Sequence, residues 1–527
     1  MQTAVTALEA WSKKWNVQIN KDKSSTTLFT LTQQKAGDIT LDGTVLKQDD
    51  EPTYLGVTYD RKQTWKPHIQ NAATKAKRKL AILRKLAGST WGANERTLRT
   101  VYEGSIRPHL EYGSAAWSTT AKSNLQTMDK VQNQALRLIT GAMRSTPIQA
   151  MEKTTGIQPL QDRRKAKIAI QSERFKCQEK HPMKSKLEGL TRNRLKRESF
   201  VHKAKTISRA YLGHLPTQTS PPLLNKSNPW KDDRSDKVTI CTRIPKISSE
   251  DPQADFIKRN IAEEHCDERY PKDSWIRAYS DGSATDAVKD GGAGVYIKYH
   301  DGNTISKATP TGVHCSNYRA EVQALKLAVE TVQNGPQDCK QVVFLTDALS
   351  VLEALSNNKE QELLDLLELL SRTHRVSLQW IPAHCGIRGN EEADRLAKGG
   401  SKDTQPEVNL SYHEKKTIIK STFKGKTERE DYHILNREDQ VILFRLRTGH
   451  NRLNHHMNKR FKLVPSAACI CLQGDQTAEH VLQSCPRLQS VREEVWPYPK
   501  SLDTKLYGGR EDLESTAAFI RLAKLRI

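Results

Sequence analysis

Between residues 65 and 86 the apolar positions Ala72, Ala76, Leu80 and Leu83, continued by Ala87, recur at three- and four-residue intervals. Lys75, Lys77, Arg78, Lys79, Arg84 and Lys85 fill the remaining faces. That period predicts a helix packed on one side and presenting cations on the other. Helical spacing also runs through Leu8, Trp11 and Trp15 and through residues 95–102 and 125–142, while alternation in SSTTLFTLT and ITLDGTVL predicts strands. Between about 200 and 270 neither period is sustained, and LPTQTSPPLLNKSNPWKDDRSDK and KISSEDPQ predict a poorly ordered linker. Periodicity then returns as strands WIRAYSD, GVYIKYH and TISKATP, a helix over 318–332, strand VVFLTD, helices to about 373, strand VSLQWIP and a helix from 391. Three strands before the first helix and alternation afterwards predict a mixed α/β sheet with helices packed on it.

At 527 residues the chain exceeds what one core organises, so two to four folded units are expected. Lys and Arg outnumber Asp and Glu by 84 to 61, and the pI near 9.5 points first to nucleic-acid phosphate as partner. The surplus is uneven: residues 161–210 carry 16 Lys or Arg against 5 Asp or Glu, which predicts a basic arm or helix. The 9 cysteines are scattered, with one tight cluster, unlike a secreted disulfide framework. With no apolar run of membrane-spanning length and no signal-peptide order at the N-terminus, an intracellular protein without a membrane partner is expected, nucleus and cytoplasm being equally open.

Four acids stand where an acid is costly. Asp281 follows the strand pattern and precedes Gly282 and Ser283, which suggests a strand end where the chain turns; Asp347 ends the run VVFLT. Glu321 heads the helical stripe Ala324, Leu325, Ala328 and Val332, where a charge is expensive unless paired or metal-bound. Asp394 is read in the first turn of a helix that Asn390 would cap. Singly, turn-forming or dipole-stabilising aspartates are ordinary. Converging, the four would form a hard oxygen site selective for magnesium or manganese, and two such ions can flank a phosphodiester during hydrolysis.

YSDGSA, NYRAEVQAL, FLTDALSV and WIPAHCGIRGNEEADRLAK, in this order and spacing, resemble the type 1 ribonuclease H family. The resemblance implies a five-stranded mixed sheet with helices on both faces and endonucleolytic hydrolysis of RNA paired to DNA, leaving a 3′-hydroxyl and a 5′-phosphate. It makes Asp281, Glu321, Asp347 and Asp394 the metal-binding acids and His384 the mobile histidine that assists proton transfer or product release. Asn317, counted with Gly282 and Ser283, is the expected contact to the hybrid. Ala348 and Leu349 depart from the Ser and, in many bacterial relatives, the Gln that follow the third acid.

The strings ALEAWSKKWNVQINKDKS, YLGVTYDRKQTWKPHI, KLAGSTWGANERTLRTVYEGSIRPHLEYGSAAW and LQTMDKVQNQALRLITGA resemble reverse transcriptases of jockey-like non-LTR retrotransposons, after the catalytic strand. Asp49–Asp50 and Asp232–Asp233 are the only Asp pairs and neither follows an apolar strand, so no polymerase activity is expected. Cys469, Cys471, His480 and Cys485 are spaced C-x-C-x8-H-x4-C, a donor set suited to structural zinc, and CICLQGDQTAEHVLQSCP resembles the Cys/His element of the same retrotransposon group, with Leu472 where relatives often carry Gly. The division expected is a late-palm and thumb remnant over 1–160, a basic segment and linker over 161–270, the nuclease over 271–400, a polar helical connector over 401–465, a zinc-knuckle-like element over 466–488 and a tail over 489–527. Function is then hydrolysis of hybrid RNA within a truncated retrotransposon polyprotein, with hybrid and element RNA as nucleic-acid partners and an intact reverse transcriptase supplying polymerisation. The alternatives are a catalytically inactive remnant that binds nucleic acid through basic helices and the Cys/His element, or an integrase-like strand transferase.

Overall fold

The computed structural model describes all residues except 35, 190–197, 220–237, 248–253, 286–287, 337 and 426–429. Most of the Pro- and Ser-rich linker text, including Asp232–Asp233, therefore lies outside the described residues, as does part of the basic run. The chain divides into two units, one of residues 1–169, 191–207 and 423–527, the other of residues 170–190 and 208–422.

The second unit is built on a sheet whose strands are β1 Val238–Cys241, β2 Ile276–Thr285, β3 Lys289–Lys298, β4 Thr304–Gly312, β5 Gln341–Thr346 and β6 Arg375–Trp380. Their spatial order is β4-β3-β2-β5-β6-β1, with β2, β3 and β4 antiparallel and β5, β6 and β1 parallel additions. The expected five strands are present, and the sheet has a sixth. β1 comes from text read as linker: its short VTIC run pairs Val238 with Val376 and Ile240 with Leu378. Helix α1, Asp255–Arg269, also emerges from that text, because Ala262 and Cys266 share one face and bury it in the same core.

Helices α2 Asn317–Gln333, α3 Leu349–Ser356, α4 Gln361–Ser371 and α5 Arg388–Gly400 follow the strands as the periodicity predicts. Core residues Ile276, Ala278, Val295, Ile297, Val342, Phe344, Val376 and Leu378 alternate along the strands, and Leu325, Ala328, Val329 and Val332 of α2 close over them. Glycines bring two helices against the sheet. A Cβ on Gly282 would stand 2.2 Å from the backbone nitrogen of Glu321, and one on Gly294 would stand 2.1 Å from the carbonyl oxygen of Ala393. Helix α6, Tyr412–Thr422, completes this unit.

In the first unit the helix Lys66–Leu86 buries Ile69, Ala72, Ala76, Leu80 and Leu83 and leaves Lys75, Lys77, Arg78 and Lys79 exposed, as its period predicts. ITLDGTVL folds as a hairpin, Thr40–Leu41 against Thr44–Val45, with Asp42 and Gly43 both at positive φ. The helix Gln2–Trp15 forms with no buried residue. From residue 423 onward the stretches read as connector and tail instead join the N-terminal core, where Tyr432, Leu443, Phe444 and Leu513 pack with Tyr102, Trp117 and Leu136. Their polar composition misleads because Arg437 is buried and Arg445 half-buried there. Arg437 donates to the carbonyls of Leu138 and Ile139, and Arg445 to that of Gly141, serving the open C-terminal end of the helix Lys122–Thr140, while Arg437 also donates to the carbonyl of Gly88. The start of the basic run is likewise no free arm: Arg163 pairs with Glu111 and Arg164 with Asp129.

Candidate active site

Asp281 does not end its strand. β2 pairs with β5 only to Tyr279, then continues against β3 alone, with Asp281 opposite Gly294, so the carboxylate emerges just past the parallel half of the sheet. Asp347 directly follows β5, and Glu321 lies one turn into α2, held close by Gly282. Carboxylate oxygens of these three residues lie within 4.8 Å of one another. Asp394 lines the same cleft of about 510 Å³, together with Gly282, Ser283, Asn317, Tyr318, Ala348, Leu349, His384 and Lys398.

Helix α5 begins at Arg388 without a side-chain cap, which corrects two expectations. Asp394 sits in its second turn, and Asn390 is buried inside it, donating its amide to Asp347 at 3.2 Å. Lys398, one turn beyond Asp394, pairs with it at 2.6 Å. Asn390, Lys398 and Tyr318 were not singled out for the site from sequence, although 390, 394 and 398 share a helix face at four-residue spacing. His384 is exposed on the loop between β6 and α5, at a φ of 50°.

The acids oppose one another. Burial, then the charges of Asp347 and Asp394, push the Asp281 carboxyl up to about 8. Burial, followed by Asp281 and Asp347, holds Glu321 well above the usual carboxylate range. Asp347 is raised by burial, against which the Asn390 amide and His384 act. One Glu321 oxygen is buried without a hydrogen-bond partner. Mutual repulsion and an orphaned acceptor are what a multivalent cation relieves, so this donor set fits magnesium or manganese.

In the first unit Cys469, Cys471, His480 and Cys485 also converge, their ligand atoms within 4.8 Å of one another. Cys469 and Cys485 sulfurs are 3.7 Å apart, and the Cys471 sulfur is 3.1 Å from Nε2 of His480. Ser484 Oγ, 3.3 Å from Nδ1, orients that ring. Leu472 takes a φ of 61°, a conformation glycine adopts without strain.

Residues 273–402 match the RNase H family. This segment is similar to RNase H domains. Its fold is the mixed sheet with flanking helices described above. The chain is 32% identical over 142 residues to a probable RNA-directed DNA polymerase from transposon BS of Drosophila melanogaster, a match covering 27% of this chain and 16% of that protein. It is 29% identical over 142 residues to the RNA-directed DNA polymerase from mobile element jockey of the same fly, again 16% of that protein. The chain thus matches a small part of the length of these relatives, and the similarity supports a non-LTR retrotransposon polyprotein carrying an RNase H domain. Among solved structures, the RNase H1 of Halobacterium salinarum NRC-1 is 21% identical and aligns over 25% of this chain and 99% of its own, with a TM-score of 0.21. Among the described residues no helix is long and apolar enough to cross a membrane.

Proposed function

We propose that the RNase H domain hydrolyses the RNA strand of RNA–DNA hybrids at a site where Asp281, Glu321, Asp347 and Asp394 hold two divalent cations. The observation that carries this reading is the set of three clustered carboxylates, one with a buried unpartnered oxygen. Magnesium bound there would supply Lewis-acid stabilisation of the phosphate and acidify an attacking water. Burial and mutual repulsion disfavour the charged forms of Asp281 and Glu321, and bound cations would favour them. Asn390 keeps Asp347 oriented. Asn317, Gly282 and Ser283 face the hybrid from the cleft wall, and exposed His384 moves a proton at the leaving oxygen or aids product release. Water adds to phosphorus as the bond to the 3′-oxygen breaks, giving a 3′-hydroxyl and a 5′-phosphate.

In the same reading Cys469, Cys471, His480 and Cys485 bind a structural zinc, residues 1–160 are a late-palm and thumb remnant, and the partner nucleic acid is the element's own RNA and hybrid. Purified chain with end-labelled hybrid and magnesium is expected to give internal RNA cuts that Asp347→Asn abolishes, while a DNA duplex stays intact. Binding without cleavage would establish the inactive remnant instead, and cutting of duplex DNA a strand-transferase-like enzyme.

A further inference from the structure

Helix α6 lies beyond the segment that matches the RNase H family, yet Glu414 on it reaches the first turn of α2. The carboxylate is 2% exposed. One of its oxygens accepts the Ser316 backbone N–H at 3.3 Å, the Ser316 hydroxyl at 3.2 Å and Arg319 Nε at 2.8 Å. The other accepts Arg319 Nη2 at 2.8 Å and the backbone N–H and hydroxyl of Ser411, each at 2.9 Å. Arg319 is thereby held by two parallel bonds along one guanidinium edge, and its Nη2 also donates to the carbonyl of Asn409 at 2.8 Å.

The support behind Glu414 is tied down in turn. Lys415 is fully buried and pairs with buried Glu173 at 2.8 Å, while also donating to the carbonyl of Leu215 at 3.1 Å. Leu410 exchanges backbone hydrogen bonds with Pro216 and Gln218, and Pro406 accepts the N–H of Val313 in the loop entering α2. Glu173 and residues 215–218 are thereby fastened to the segment 406–415, which holds the turn where α2 begins. Ser316 caps that turn, Asn317 is its first residue, and Asn317 and Tyr318 face the cleft.

We infer that Glu414 and Arg319 form a positioning pair that fixes Asn317 for hybrid binding, so that the working nuclease extends to residue 422 and includes residues 215–218. This rests on the assignment of Asn317 to the hybrid. Glu321, one turn on, is held independently by its backbone contact with Gly282. Loss of the pair should therefore loosen hybrid binding and spare the metal site.

The test uses the full chain and measures binding of a labelled hybrid by anisotropy in EDTA, where no turnover is needed, alongside KM and kcat in magnesium. Glu414→Gln, and independently Arg319→Lys, should each weaken hybrid binding at least about fivefold and raise KM to match, with kcat within about twofold. Asn317→Ala should weaken binding as well, but add little in the Glu414→Gln background. A purely structural role would lower the melting temperature of Glu414→Gln and leave binding by the folded protein unchanged. That result, or full additivity with Asn317→Ala, overturns the inference; should Glu414→Gln not fold, Arg319→Lys decides. Absence of cleavage by the wild type would count against hydrolysis alone, since the binding cycle is read without it.

Discussion

Asp281 carries a pH dependence whose direction follows from its surroundings. A carboxyl near 8 in the fold and near 3.9 in the unfolded chain keeps its proton longer when folded, so metal-free stability falls as pH rises between those values and is lowest above about 8. Melting of the metal-free chain is expected to drop from pH 6 to pH 9, with Asp281→Asn flattening the slope and magnesium restoring the lost degrees; each kcal/mol moves the midpoint by roughly 2–4 °C. A profile equally steep in Asp281→Asn would place the titration elsewhere. Asn390 bears on the same cluster from outside it. Asn390→Ala removes the amide at Asp347 and should weaken magnesium binding by about 10- to 100-fold in calorimetric titration, without altering the ligands themselves. The acids were legible because each interrupts a local pattern. Asn390 was not, because a buried asparagine and a capping one look alike until the helix start is placed, and here it falls three residues earlier, at Arg388.

At the scale of elements, the close seat of α2 on the sheet makes Gly282 intolerant of any side chain. Gly282→Ala is expected to cost about 1–3 kcal/mol in denaturant unfolding and to abolish cleavage, since the helix carrying Glu321 must move outward. Retained activity would mean the helix yields without displacing Glu321. The helix Lys66–Leu86 acts at longer range. Replacing exposed Lys75, Lys77 and Lys79 by Ala should flatten the salt dependence of nucleic-acid binding by about 0.9 per lost phosphate contact on duplex DNA, and an unchanged slope would remove this face from the binding surface. Regular elements were readable wherever one face repeats over several turns. β1 was not: four residues make a strand only because β6 lies ready to pair, which is a fact about residues more than a hundred positions away. The helix Arg437–Thr448 was obscured for another reason, its Arg437 being buried as a donor to carbonyls of another helix.

Over the whole molecule the two proposed metal centres fall in different units, so they should be separable. A zinc-selective chelator, or Cys485→Ala, is expected to lower one calorimetric transition and leave the magnesium-sensitive one in place. A single transition responding to both would show that the units melt together. The division into units was the least legible level, because stretches with no sequence period in common, at the two ends of the chain, share one core. β1 also governs how the RNase H domain can be excised. A fragment cut at residue 271 strips β6 of its neighbour and presents a row of bare amides and carbonyls, backed by Val376 and Leu378, as a template for other chains. Such a fragment invites strand-to-strand aggregation, which an otherwise identical fragment beginning before Val238 would avoid by ending the sheet on a strand of only four residues.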